Sequence, residues 1–167
     1  MKFLAARKRA AMRGFSWDRS QSLEQMTRLA FWLHHFGRDE DALEVATFLA
    51  QYEFSGNHNL WSWIELALAL RCRLLRQIGR QDKAGESVQR IRDAGFVASR
   101  LKGVLLKDRE IDRAVARSDR RAERDWRENQ ALELCWLIEM GGSRSLPVES
   151  LESRYLENQQ RLQELQD

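Results

Sequence analysis

One sequence pattern occurs twice in this chain. The segment "FGRDEDALEVATFL" begins at Phe36, and "IGRQDKAGESVQRI" begins at Ile78, forty-two residues later. In both copies an apolar residue precedes Gly-Arg, three polar residues follow, and alanine comes next. Each glycine ends a run of apolar residues at helical spacing, and glycine adopts the left-handed conformation of a helix cap without a steric penalty. We therefore predict that Gly37 and Gly79 form the structural turns of two helical hairpins.

Superposition of the two copies supports this prediction, because small or apolar residues match throughout. The matched pairs are Ala30 with Cys72, Leu33 with Leu75, Ala42 with Ala84, and Leu49 with Ile91. Small residues at such positions allow antiparallel helices to approach closely. In these features residues 22–95 resemble two degenerate hairpins of the tetratricopeptide (TPR) repeat family. The resemblance implies that the first helix of each hairpin lines a concave groove.

The remaining sequence also favours helices. The chain has a single proline among 167 residues, few β-branched residues and a charged fraction of 32%, a composition typical of helices rather than sheet. Apolar periodicity predicts an all-α fold of about seven helices, at 22–36, 39–52, 59–78, 81–94, 97–105, 108–140 and 147–167. We expect one domain, 1–167, in which two TPR-like hairpins precede C-terminal helices at 97–167.

The two ends of the chain differ in charge. Residues 1–17 contain five basic side chains and no acid, whereas residues 145–167 contain five acids and two arginines. A basic segment can attract nucleic acid. In the run around 108–128, however, seven acids oppose the arginines, so we interpret it as a solvated helix face. No signal-peptide pattern or membrane-length apolar run is present, and we expect a cytoplasmic protein.

The sequence offers little for catalysis or metal binding. His34 and His35 are adjacent and point about 100° apart on a helix, and neither Cys72 nor Cys135 has a CxxC or HxxxH companion. No serine or cysteine lies in a glycine elbow, and no glycine-rich phosphate loop occurs. We predict no catalytic residues, no metal and no cofactor. The two cysteines lie in apolar helical segments and are expected to be reduced, buried thiols.

Two charged residues near apolar segments have more than one interpretation. Glu65, within "WSWIELALAL", could be a carboxyl with a raised pKa, but its place at the edge of the polar arc favours a surface or ion-paired glutamate. Arg71 falls inside the apolar arc of the same helix. We interpret it as a structural ion pair, with ligand binding as the alternative.

The candidate partner-binding residues follow from the repeat. The shift of forty-two places Phe31 beside Arg73 and His34 beside Arg76, on the first helices of consecutive hairpins. We predict that these four residues share one solvent-facing surface, with Phe31 as an anchor. The alternative is that the N-terminal segment covers Phe31.

These observations predict a non-enzymatic protein–protein interaction module. Its partner would be another protein, which the chain binds and neutralises in the manner of an immunity or antitoxin-type or regulatory protein. The alternative is a nucleic-acid-associated factor that uses its basic N-terminal segment.

Overall fold

The computed structural model describes residues 16–54, 58–94, 100–142 and 147–166. Within these ranges the chain forms seven helices and no strand, which confirms the all-α prediction. The helices are α1 (Ser16–His35), α2 (Asp39–Leu49), α3 (His58–Gln77), α4 (Gln81–Asp93), α5 (Arg100–Ala116), α6 (Arg120–Glu139) and α7 (Val148–Glu164). They divide between two compact units, Met1–Phe96 and Val97–Asp167.

The turns after α1 and α3 have the same backbone conformation. Gly37 has φ +71° and Gly79 has φ +77°. The amide after each glycine donates to a carbonyl five residues earlier, Arg38 to Leu33 and Arg80 to Leu75, both at 2.8 Å. This hydrogen bond, together with one from each glycine amide at 3.0 Å, is the Schellman motif that closes a helix. The two predicted glycine caps are therefore confirmed.

The small residues of the repeat lie where helices meet. Ala30, Ala42, Cys72 and Ala84 are all fully buried. Helix α3 contacts α1, α2 and α4, and its residues 64–70 are buried around the whole circumference. It is therefore the central helix of the first unit. Cys72, and Cys135 in the second unit, are buried thiols that form no disulfide, as the apolar sequence context predicted.

The buried face of α1 includes a polar residue and leaves out the last apolar one. Phe36, which ends the apolar run before Gly37, is 58% exposed, whereas Thr27 is fully buried. The Thr27 hydroxyl donates to the Trp63 carbonyl at 3.3 Å. This bond satisfies the hydroxyl, so a polar side chain can be buried at the contact with α3. Phe36 stacks on Trp32 with ring centroids 5.4 Å apart, an arrangement that leaves much of its ring in solvent.

The helix predicted over 108–140 is wrong, because the chain turns at Ser118. This residue has φ +54°, and the Asp119 amide donates to the Ala114 carbonyl at 3.0 Å, as in the two glycine turns. The Asp119 carboxylate then caps α6 by accepting from the Ala122 amide at 2.9 Å. No glycine stands at this turn in the sequence, and the i,i+4 charge pairs that favour a continuous helix, such as Arg121 with Asp125 and Arg124 with Glu128, all lie after it.

Polar side chains link the three helices of the second unit. The Asp108 carboxylate on α5 accepts from Gln130 on α6 at 2.7 Å and from Arg154 on α7 at 2.5 Å. The neighbouring residue of α5, Lys107, pairs with Glu133 on α6 at 3.0 Å. A Cβ on Gly103 would come within 2.5 Å of Glu133 Oε2. The bare glycine therefore lets this carboxylate lie against α5.

A buried carboxylate joins α6 to α7. Glu123 is only 3% exposed, and its oxygens accept from Arg127 Nε at 2.8 Å and from Arg161 Nε at 2.9 Å. Asn158 on α7 also donates to the Arg127 carbonyl at 2.9 Å. Hydrogen bonds from Arg161 and Arg127 hold the pKa of Glu123 below its usual value, against the opposing effect of burial.

Candidate interaction groove

The predicted four-residue binding surface is not present as expected. Phe31 is 7% exposed and belongs to the core, so the prediction that it anchors a partner is wrong. His34 is partly buried, and its Nδ1 lies 2.7 Å from Asp39 Oδ1. Arg73 is half-buried and Arg76 is exposed. Helices α1 and α3 do lie in contact, but the face that carries Phe31 is turned inward.

The interpretation of Glu65 as a surface residue is also wrong. Its side chain is fully buried, within the stretch of α3 that is enclosed on all sides. The helical wheel placed Glu65 at a polar edge because Ser62 and Arg76 share that edge. A wheel describes one helix alone, however, and cannot show that neighbouring helices cover its polar side as well.

The structure places a groove along α2, where this helix faces α3 and α4. Two adjoining clefts of about 580 Å³ and 260 Å³ share Thr47 and Gln51 in their linings. We call them together the inter-hairpin groove. The larger cleft is lined by Asp39, Glu40, Leu43, Glu44, Thr47, Phe48, Gln51, Leu74, Ile78 and Arg80. The smaller is lined by Thr47, Ala50, Gln51, Arg71, Glu86, Ser87 and Arg90.

The larger cleft has an apolar floor. Leu43 and Phe48 come from α2, and Leu74 and Ile78 come from the end of α3 and the turn that follows. Ile78 is 53% exposed, although a residue of this size and apolarity is usually buried. The groove thus presents apolar side chains to solvent at the junction of the two hairpins.

Acidic side chains surround one end of the groove. Asp39, Glu40 and Glu44 line it there, with Arg80 as the single basic residue of that lining. Asp39 and Glu40 lie in the first turn of α2, where acids are favoured by the positive end of the helix dipole. The local balance of three acids and one arginine makes this end negative.

Arginines line the other end. Arg71 Nη1 donates to the Ser87 hydroxyl at 2.6 Å and to the Lys83 carbonyl at 3.4 Å. These are neutral acceptors, so the predicted ion pair of Arg71 with a contacting carboxylate is wrong. Burial lowers the pKa of Arg71 from its usual value, and the charge of Glu86 partly opposes this shift.

Arg90 is the second arginine of this end. It donates to the Tyr52 carbonyl and lies over the Phe54 ring at 5.9 Å from the centroid. Arg90 therefore links α4 to the segment that follows α2. With Arg71 and Arg90 opposed by Glu86, this end of the groove is positive, whereas the end at Asp39 is negative.

Sequence reasoning missed the groove because it lies along the second helix of the hairpin, whereas the resemblance had directed attention to the first helices. Two signals pointed to it. Arg71 interrupts the apolar arc of α3, and Ile78 is a large apolar residue directly before a turn glycine. The sequence does not show, for either residue, which neighbouring helix its side chain contacts. No cluster of three His, Cys, Asp or Glu that could hold a metal ion is found in the described ranges.

The fold and the groove define an all-α protein built on helical hairpins, with a solvent-open cleft between them. A family model matches residues 4–164, and the chain belongs to DUF6707, a family of unknown function. No curated protein matches the chain, and no solved structure matches it. Among the described helices, none has the length and apolarity needed to cross a bilayer.

Proposed function

We propose that the chain is a non-enzymatic protein–protein interaction module that binds its partner in the inter-hairpin groove. The observation that carries this proposal is the groove itself. It exposes apolar side chains between charged ends of opposite sign, and surfaces of this kind are typical of contacts between proteins. The larger cleft runs beside α2 and is open to solvent, and helical peptides dock on proteins in apolar grooves of this kind.

The arrangement of the first unit supports a TPR-like module. Two hairpins have the same Schellman turn, and each has a buried alanine five residues after the turn glycine, Ala42 and Ala84. Repeated hairpins of this kind provide a rigid support for a binding groove. We further propose that the chain acts in the cytoplasm as an immunity, antitoxin-type or regulatory protein, which neutralises its partner by occupying the segment that the groove binds.

Site-specific photo-cross-linking tests the interaction. A benzophenone-bearing amino acid at Thr47, which is exposed in the groove, should give an adduct with a partner protein in cells of the source organism. The matched control is the same amino acid at Gln89, an exposed residue of α4 outside the groove lining. Ile78→Asp should abolish the Thr47 adduct. Equal adducts from both positions, or an adduct that survives Ile78→Asp, would contradict the proposal.

Neutralisation is tested on the cross-linked partner. Once the adduct has been identified by mass spectrometry, the partner's own activity is measured with the parent chain and with Ile78→Asp added in equal amounts. We expect inhibition by the parent and at least ten-fold weaker inhibition by the variant. Binding without inhibition would favour a chaperone or scaffold role instead.

The alternative function is nucleic-acid association through the basic N-terminal segment. Its support is the set of five basic residues without an acid in residues 1–17. Residues 1–15 lie outside the described part of the chain. Binding of this electrostatic kind weakens steeply with salt, whereas a contact with an apolar floor persists.

A further inference from the structure

We propose that the inter-hairpin groove recognises a peptide by its charge polarity. Basic side chains of the peptide lie at the end lined by Glu40 and Glu44, and a carboxylate lies at the end lined by Arg71. This inference rests on the proposed interaction function and specifies the chemistry of the partner segment.

The negative end of the groove is the proposed binding place of the peptide's basic side chain. Glu40 and Glu44 are one helical turn apart on α2, and both are exposed, so they line the same side of the groove. Arg80 is the opposing charge, and it stands across from three acids. A lysine or arginine of a peptide reaches this end with its charge in solvent while its alkyl stem covers the apolar floor.

The positive end of the groove is the proposed binding place of the peptide's carboxylate. Arg71 uses Nη1 for the Ser87 hydroxyl and the Lys83 carbonyl, but its Nε is buried and has no hydrogen-bond partner among the described protein atoms. A buried donor without an acceptor is costly. The Nη2 of Arg71 is not enclosed and makes no hydrogen bond within the described residues, so an acidic side chain or a C-terminal carboxylate in the cleft can accept from it. Because a carboxylate can accept two parallel hydrogen bonds from one guanidinium, a small turn of the Arg71 side chain would give Nε an acceptor as well.

The length of α2 sets the spacing between the two charges of the peptide. Glu40 lies nine residues before Leu49, the last residue of α2, and a helix rises about 1.5 Å per residue, so this part of α2 is about 14 Å long. A helical peptide covers this distance in about nine residues, and an extended peptide covers it in about four. Apolar residues between the charges would contact Leu43, Phe48 and Ile78.

Selection from a random peptide library tests the inference. A phage-displayed library of random sixteen-residue peptides is selected on the full-length chain and depleted on the Ile78→Asp variant. We expect the enriched sequences to have Lys or Arg at one end, Asp or Glu at the other, and apolar residues between them. Failure to enrich any peptide, or enrichment of peptides without this polarity, would overturn the inference.

Charge reversal then tests the assignment of the two ends, with binding of an enriched peptide followed by fluorescence anisotropy. Glu40→Lys should weaken binding at least ten-fold. Its control is Asp82→Lys, because Asp82 is the counterpart of Glu40 in the second hairpin, also exposed in a first helical turn but outside the groove lining. A peptide whose basic residue is replaced by Glu should regain affinity for Glu40→Lys. Equal weakening by the two variants, or no recovery, would contradict the assignment.

The positive end is tested in the same way with Arg71→Gln, and circular dichroism checks that the helices remain. Arg92→Gln, at an exposed position of α4, is the control. We expect a loss of at least ten-fold for Arg71→Gln alone. An unchanged affinity would overturn the carboxylate assignment.

The outcomes separate this inference from the proposed function. A Thr47 adduct in cells, together with peptides that lack polarity, leaves the interaction function standing and overturns the charge assignment. Polarised peptides without any cellular adduct contradict the function but not the chemistry of the groove. A dimer in solution that Ile78→Asp dissociates would assign the groove to a second copy of the chain and overturn the inference.

Discussion

At the scale of single residues, the backbone conformation of the two turns requires glycine, and crowding around the residue does not. A Cβ added to Gly37, Gly79 or Gly85 meets no atom within 4 Å, but only the first two have positive φ. Gly37→Ala and Gly79→Ala should each lower the free energy of unfolding by about 1 kcal/mol through left-handed strain. Gly85→Ala, within α4, should raise it by about 0.5 to 1 kcal/mol.

Urea unfolding of the three alanine variants measures these changes. Because the substitution is the same and none of the three sites is crowded, the sign of the change in the free energy of unfolding depends only on the backbone conformation at each site. Three changes of the same sign would contradict the conformational explanation of the repeat.

Ser118 occupies the same left-handed position without being glycine. Ser118→Gly should therefore raise the free energy of unfolding by about 0.5 kcal/mol, because relief of the strain exceeds the extra entropy of glycine in the unfolded chain. The control is Ser153→Gly, at an exposed position inside α7, which should lower it by about 0.5 kcal/mol. Thermal melting of both variants checks this prediction, and stabilisation by Ser153→Gly but not by Ser118→Gly would contradict it.

At the scale of helices, the third turn changes how the following helix packs. Five residues after Gly37 and Gly79 stand Ala42 and Ala84, whereas Glu123 stands five residues after Ser118. The alanines are fully buried, and Glu123 is buried as well. Where the first two hairpins have a methyl group at this position, α6 has a carboxylate whose charge is matched by Arg127 and Arg161. The contact of α6 with α7 thus depends on ionisation.

This dependence predicts an effect of pH. The pKa of Glu123 is lowered in the folded chain, so its contribution to stability is complete above the unfolded value of about 4.5 and is lost as pH falls through the folded value. Glu123→Gln should cost about 2 kcal/mol at pH 7, because a hydrogen bond to a charged group contributes about 1.5 to 3 kcal/mol. The difference between parent and variant should shrink below about pH 4.5.

Urea unfolding of parent and variant at pH 7 and at successively lower pH measures this difference, and the comparison cancels the titration of the other carboxylates. Glu110→Gln is the control, because Glu110 pairs with Arg113 at the surface of the same unit, and the expected loss is less than about 1 kcal/mol. A Glu123→Gln deficit that stays constant from pH 7 to the lowest pH would contradict the ionic explanation.

At the scale of the whole molecule, the excess of positive charge lies at the start of the chain. Residues 2–13 contain only three large apolar side chains, Phe3, Leu4 and Met12, so deletion of residues 2–13 should leave the melting temperature nearly unchanged. Peptide binding in the groove should be unaffected, because its lining begins at Asp39. A collapse of the fold would instead show that Phe3 and Leu4 are core residues.

The same deletion distinguishes the two proposed functions. Retention of the parent on immobilised DNA and RNA is compared with that of the deletion variant at about 50 and 200 mM salt, a range over which phosphate contacts weaken strongly. If retention at low salt is lost on deletion while the fold is spared, the nucleic-acid alternative gains support. If peptide binding is retained at both salt concentrations, the proposal of binding in the groove gains support.

The features of this protein that depend on local chemistry could be predicted from the amino-acid sequence. Helical periodicity and the near absence of proline predicted an all-α chain, and Gly37 and Gly79 predicted two helix ends, because a left-handed residue without Cβ is needed there whatever surrounds it. The repeat also predicted that Ala42 and Ala84 are buried, because both copies of the pattern carry a small residue at the position where their two helices meet.

Features that depend on contacts between residues far apart in the chain became visible only when the helices were seen packed together. Thr27 is buried because its hydroxyl reaches the carbonyl of Trp63, thirty-six residues away, and Phe31 is buried on the same side of α1. Ser118 turns the chain without a glycine, and Glu123 is buried because Arg161 comes from another helix. The groove exists only where α2 meets α3 and α4. A single-helix pattern records which residues share a face, but the neighbouring helices determine whether that face meets protein or water.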